Sequence, residues 1–203
     1  VPAGAKTEIS GRPNGIAVLS VGVIDTWAGS WFQVLPCDAE PGAYSTSNSS
    51  EAGETIANLA IVQLDAAGKT CVYNQNPTSA IFVDLQGYLE PTAFTPVTQR
   101  LLDTRQPPPK LPIEAGGRAA FVGQPNGLAV VSIVATGTLA PGYLQALSCA
   151  ASPGAYSNLN VDRAGQTVAN LAIVQLDAKG ESCIYTRGGA HLIVDLQGYL
   201  DPA

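Results

Sequence analysis

The sequence repeats itself, and that constrains everything else. The string ANLAIVQLDA stands at residues 57–66 and again at 169–178, and PGAYS at 41–45 and 153–157, both pairs offset by 112 residues. DLQGYL recurs at 84–89 and 195–200 with an offset of 111, so one residue is lost between Tyr185 and Asp195. The 112-residue spacing also carries Pro13-Asn14-Gly15 onto Pro125-Asn126-Gly127, Cys37 onto Cys149 and Cys71 onto Cys183. The 203 residues therefore hold a tandem pair of one fold, each copy long enough to bury a core. Positions shared by both copies read as framework, and positions particular to one copy as specialised.

Within each copy the periodicity is that of strands. Ile81, Val83 and Leu85 alternate with Phe82, Asp84 and Gln86, and Leu192, Val194 and Leu196 alternate with Ile193, Asp195 and Gln197. Further short runs fall at 6–10, 16–24, 31–36, 55–64 and 70–74, separated by turn chemistry such as Pro13-Asn14-Gly15 and Asp65-Ala66-Ala67-Gly68. Residues 57–63 could be drawn as a helix, but their β-branched side chains and the turn that follows favour a strand. About seven strands per copy predicts an all-β chain of two tandem β-sandwiches of immunoglobulin-like kind.

Domain boundaries follow from composition. Residues 1–90 form the first repeat and 113–203 the second, while 91–112 carries six prolines, including Pro107-Pro108-Pro109, and reads as an extended, semi-rigid connector. Inside it, Arg100-Leu101-Leu102-Asp103-Thr104-Arg105 is too apolar for a plain linker. We read it as a strand docked on the second copy, with Asp103 pairing an arginine locally. The corresponding segment of the first copy would lie about twelve residues before Val1, so the first repeat lacks its opening strand. Two expectations follow: the sequence is part of a longer protein, or the first copy takes a strand from a neighbour.

The cysteine separation is 34 in both copies, which favours one disulfide within each, Cys37–Cys71 and Cys149–Cys183, over cross-pairing, a shared metal site or four free thiols. Zinc sites want closely spaced Cys or Cys/His pairs, which are absent here. Four paired thiols imply an oxidising compartment.

Several strings together resemble a repeat found in secreted and surface proteins of actinobacteria. They are RLLDTR, a Pro/Gly-rich stretch, a Cys after an aromatic-bearing strand (residues 143–149), SNLN at 157–160, AGQTVANLAIVQL, a second Cys with Tyr two residues on, and LIVDLQGYL. The resemblance covers residues 100–200 fully and 1–89 without the opening RLLDTR, with STSNSS at 45–50 as a further departure. It implies secretion and an accessory role beside hydrolytic domains or in long arrays, and it transfers no active site.

Composition narrows the partners. A net charge of -6 and a pI near 4.6, with only 13% charged residues, give no footprint for nucleic acid or an anionic membrane surface. The apolar runs, such as 16–24 and 128–135, are far shorter than the roughly 20 residues of a membrane span. No leader-like pattern opens the chain at Val1, so a signal peptide was cleaved, lies outside this sequence, or was never present.

Catalytic chemistry finds little support. The single histidine, His191, aligns with Ala80 and has neither a nucleophile elbow nor an HExxH motif around it, so it reads as a solvated residue at a strand start. Asp84 and Asp195 sit among apolar residues, where burial raises a carboxyl pKa, yet each could bond backbone donors or an arginine such as Arg105. Asp65 and Asp177 occupy matching Asp-x-x-Gly turns and lack the further oxygen ligands calcium needs. We expect no cofactor, no metal and no enzyme activity. The asymmetric feature is aromatic: Trp27 and Trp31 flank Ala28-Gly29-Ser30, aligning with Leu139 and Tyr143. Trp27, Trp31 and Tyr143 are the candidate platform residues for a sugar ring or partner chain, against the plainer reading that the indoles cover one end of the sandwich.

These readings predict a secreted, cell-surface, non-catalytic tandem module, a stalk, spacer or adhesive segment. The alternatives are a carbohydrate- or cell-wall-binding module serving a hydrolase, and a filament subunit joined by strand complementation to neighbouring copies of the chain.

Overall fold

The computed structural model describes residues 1–24, 26–42, 44–75, 80–106, 111–154 and 156–201. The chain divides into two compact units, Val1–Pro96 and Val97–Ala203.

The first unit contains β1 (Ala5–Ser10), β2 (Ile16–Ile24), β3 (Ser30–Leu35), β4 (Ser47–Ser49), β5 (Ile56–Gln63), β6 (Lys69–Asn74) and β7 (Ala80–Leu89). Four strands form one sheet in the order β1-β6-β3-β4, and three form another in the order β5-β2-β7. Between them lie Ala17, Leu19, Val21, Val34, Ala60, Leu64 and Val72. Residues 57–63, which could have been helical, belong to β5, paired residue by residue with β2 from Ile16↔Gln63 to Val23↔Ile56.

The second unit repeats the plan with β9 (Arg118–Val122), β10 (Leu128–Thr136), β11 (Gly142–Leu147), β12 (Leu159–Val161), β13 (Val168–Gln175), β14 (Glu181–Thr186) and β15 (His191–Leu200). It adds one strand, β8 (Phe94–Asp103), which contains most of the RLLDTR string. The sheets run β9-β14-β11-β12 and β13-β10-β15-β8, so β8 covers the outer edge of β15. Counted from β8, the eight strands have the order 1-8-3-6 over 2-7-4-5, the double Greek key of a jelly roll within the sandwich class. The chain is thus all-β, with two sandwich-like halves and one disulfide in each, Cys37–Cys71 and Cys149–Cys183. Pro107-Pro108-Pro109 of the connector lies outside the described residues.

The repeated motifs have repeated jobs. Asn14 and Asn126 of the Pro-Asn-Gly turns adopt left-handed φ of 54° and 57°, which asparagine tolerates better than most residues. Asp65 Oδ1 accepts the backbone N–H groups of Ala67 and Lys69, and Asp177 Oδ1 those of Lys179 and Glu181. Gly68 closes the first of these turns at φ 79°, where an added Cβ would overlap the Gly11 carbonyl oxygen. In DLQGYL the pairing slips between Val18 and Leu19 in one half and between Val130 and Val131 in the other, leaving Gln86 and Gln197 as the extra residues of matching β-bulges. A cation from the first sheet strand braces each disulfide loop: Lys6 Nζ donates to the carbonyls of Cys37 and Ala39, and Arg118 to those of Cys149 and Ala151.

Candidate functional site

The strongest difference between the halves lies along one sheet edge. In the second half β8 brings Arg100 to Asp195, whose two carboxylate oxygens accept from Nε at 2.8 Å and from an η-nitrogen at 3.0 Å. This fork-to-fork geometry is the strong form of the arginine–carboxylate bond. Asp103 accepts from Arg105 Nε at 2.9 Å and lies 3.4 Å from Arg100, so the local pairing expected of Asp103 is present. Arg105 was a candidate partner of Asp195; the bonded one is Arg100, while Arg105 is held by Asp103. Thr104 donates its backbone N–H to the Leu192 carbonyl, and its hydroxyl accepts the Leu192 N–H.

Electrostatics follow from this packing. Burial pushes the Asp195 carboxyl above its ordinary value, and the bonds from Arg100 only partly pull it back. The Arg100 guanidinium, favoured by the same bonds, stays cationic. Asp103 is held below the usual carboxylate range, chiefly by its side-chain bonds from Arg105. Val97, Leu101 and Leu102 of β8 pack, partly buried, against the core in which Leu192, Val194 and Leu196 of β15 are sealed.

Among the described residues, β7 of the first half is paired only with β2. Asp84, the counterpart of Asp195, is exposed, and among the described residues no cation pairs with it. Leu85 is 53% exposed where Leu196 is 2%, and behind it opens a recess of about 110 Å³ lined in part by Ile9, Leu19, Val83 and Tyr88.

The aromatic candidates separate. Trp27 stands in the β2–β3 loop at 76% exposure. Trp31, on β3, is half-buried and tilted against Tyr73 of β6, with ring centroids 5.2 Å apart. Tyr143 makes the same contact with Tyr185 in the second half, at 6.0 Å. Trp31 and Tyr143 are therefore equivalent members of cross-strand aromatic pairs, and only Trp27 is presented to solvent. Tyr44 and Tyr156, shared after matched Pro-Gly turns, donate their hydroxyls to the Val34 and Ala146 carbonyls.

His191 opens β15, half-buried, with Nδ1 3.3 Å from the Thr104 hydroxyl. The one cluster of ligand-type side chains among the described residues is Cys149, Glu181 and Cys183, and its two sulfurs are joined in the disulfide. A disulfide sulfur has no thiolate to offer a metal, so this cluster does not fit one.

Sequence reasoning located the RLLDTR strand but not the full consequence for β7, whose signal was the pairing of an identical DLQGYL string with only one RLLDTR. The fold and edge define a tandem, disulfide-closed jelly-roll pair with, among the described residues, seven strands in one half and eight in the other. No family model matches the chain, and no curated protein matches it either.

Proposed function

We propose that the chain is a non-catalytic tandem module of a secreted or cell-surface protein, acting as a structural stalk or spacer. One observation carries this reading: among the described residues, the ionisable groups with a displaced pKa, Lys69, Arg100, Asp103, Arg105, Asp177 and Asp195, are engaged in structural bonds. Lys69 pairs with Glu8, Arg100 with Asp195, Asp103 with Arg105, and Asp177 is bound by turn amides. An active site instead leaves its displaced groups converging on a space where substrate can sit. Two disulfides suit an oxidising compartment, and the resemblance to actinobacterial surface repeats agrees with that setting.

A second reading, binding to cell-wall or other polysaccharide, is favoured by the 76% exposure of Trp27. Cosedimentation of the full chain with insoluble peptidoglycan, chitin and cellulose separates the two. The stalk reading expects the protein to stay in the supernatant, as does its Trp27→Ala variant. Selective pelleting that this substitution removes would install the binding reading, and turnover of any of these polymers would overturn both.

A further inference from the structure

The uncovered edge of β7 has a template for its occupant inside the same molecule. β7 and β15 share the string DLQGYL, the same bulge and the same pairing to β2 and β10. Only β15 has β8 beside it. Where β8 lies, a buried carboxylate meets a guanidinium and the neighbouring leucine is sealed. Where it is missing, the equivalent carboxylate and leucine face water, next to a recess of about 110 Å³. An edge strand offers a row of unpaired backbone donors and acceptors, and strand addition is the common way to satisfy them.

We propose that the outer edge of β7 is an acceptor for an extended strand of the β8 class. That strand carries an arginine that meets Asp84 and leucines that cover Val83 and Leu85, and it comes from a polypeptide segment other than this chain's own β8. Charge complementarity supports the assignment: Asp84 supplies the carboxylate that Asp195 supplies to Arg100. The chain's own β8 is already committed, because Arg100, Thr104, Leu101 and Leu102 are engaged with β15 and its core. Exchange between two copies would expose one β15 for each β7 covered, leaving no net gain in paired edge.

The test titrates the full chain with a labelled peptide of residues 94–106, reading fluorescence anisotropy together with hydrogen exchange of the β7 and β15 amides. Saturable binding that protects β7 and leaves β15 unchanged is expected. Arg100→Ala in the peptide, or Asp84→Asn in the chain, should weaken binding roughly tenfold or more. Leu85→Lys should weaken it further; both positions in the chain are exposed, so the fold tolerates these changes. Absence of β7 protection at high peptide concentration would overturn the proposal, as would equal binding of a scrambled peptide. Concentration-dependent dimers in which β7 gains protection while β15 loses it would overturn it in favour of exchange between copies. A graft of residues 94–112 ahead of Val1 supplies an independent readout. It should protect β7 and raise the unfolding midpoint of the first half, and an unchanged midpoint would count against the assignment.

Discussion

Two strands with nearly the same sequence live in opposite environments. In β15, Val194, Asp195 and Leu196 are 0%, 4% and 2% exposed; in β7, Val83 is half-buried and Asp84 and Leu85 are open to solvent. Neither strand's own residues explain the difference, since the last six, Asp-Leu-Gln-Gly-Tyr-Leu, are the same in both. The cause is the neighbour: β8 supplies an edge, a counter-charge and apolar side chains. Burial here belongs to the pair of strands and cannot be assigned to one of them.

The comparison can be tested with a convenient probe, because both tryptophans lie in the first half. Tryptophan fluorescence follows that half, while far-UV circular dichroism follows both. The largest effect should come from what the halves share. Replacing Cys149 and Cys183 by serine removes a 34-residue cross-link and should cost the second half about 3–4 kcal/mol in urea unfolding. Replacing Cys37 and Cys71 should cost the first half a similar amount, and a large inequality would show that the halves differ in more than the missing strand.

A somewhat smaller effect should divide the halves. Leu196→Ala should destabilise the second half by about 3 kcal/mol, and Leu85→Ala should change the first by less than about 1 kcal/mol, read as shifts in urea midpoint. Equal losses would mean that β7 is covered in solution. Next, Arg100→Ala strands the Asp195 carboxylate and should cost about 2 kcal/mol, below the range for fully buried pairs because Arg100 is one-third exposed. Asp84→Asn should stay within about 0.5 kcal/mol.

The smallest effect is in pH dependence. Because the Asp195 carboxyl is raised, the native second half keeps a proton that the unfolded chain has already released. That contribution to stability is full at and below the ordinary carboxylate range and falls as pH rises through the native value. Asp103 works the other way: its contribution is full above the ordinary value and is lost as pH falls through its lowered native value. Denaturant midpoints across mildly acid pH should therefore rise and then fall on acidification, and Asp195→Asn should remove the rise while keeping the fall. The first half, which lacks this pair, is the control.

Much of this was legible in the residues. The run at 16–24 is β2 to the residue, and the runs at 6–10, 31–36, 55–64 and 70–74 differ from their strands by a residue or two at the ends. Apolar alternation and turn residues are local signals, so they survive in a single chain. β4, at Ser47–Ser49, has no apolar alternation of its own, and only its counterpart Leu159–Val161 shows what it is. The RLLDTR strand was visible as too apolar for a linker, but it begins earlier, at Phe94, because an edge strand can carry Pro96 with no ladder bond lost on its open side. The choice of Arg100 over Arg105 as the partner of Asp195 depends on the register between β8 and β15, which is a non-local property. In sequence Trp31 reads as a flat apolar platform for a sugar ring or partner chain; its tilted contact with Tyr73 of β6 is a cross-strand pairing that the sequence spacing does not show.

The closure of the second half by its first strand has a mechanical side. Thr104, just past the end of β8, bonds Leu192, near the start of β15, so the beginning of β8 lies toward the end of β15. Tension applied at the two ends of this half therefore loads neighbouring antiparallel strands from the same side, and they part like a zipper, one bond at a time, at low force. Extension then stops short at the cross-linked loop, since the residues between Cys149 and Cys183 cannot pay out while the disulfide holds. Such a half yields early under load, keeps a fixed reserve of length locked away, and closes again once β8 finds its edge.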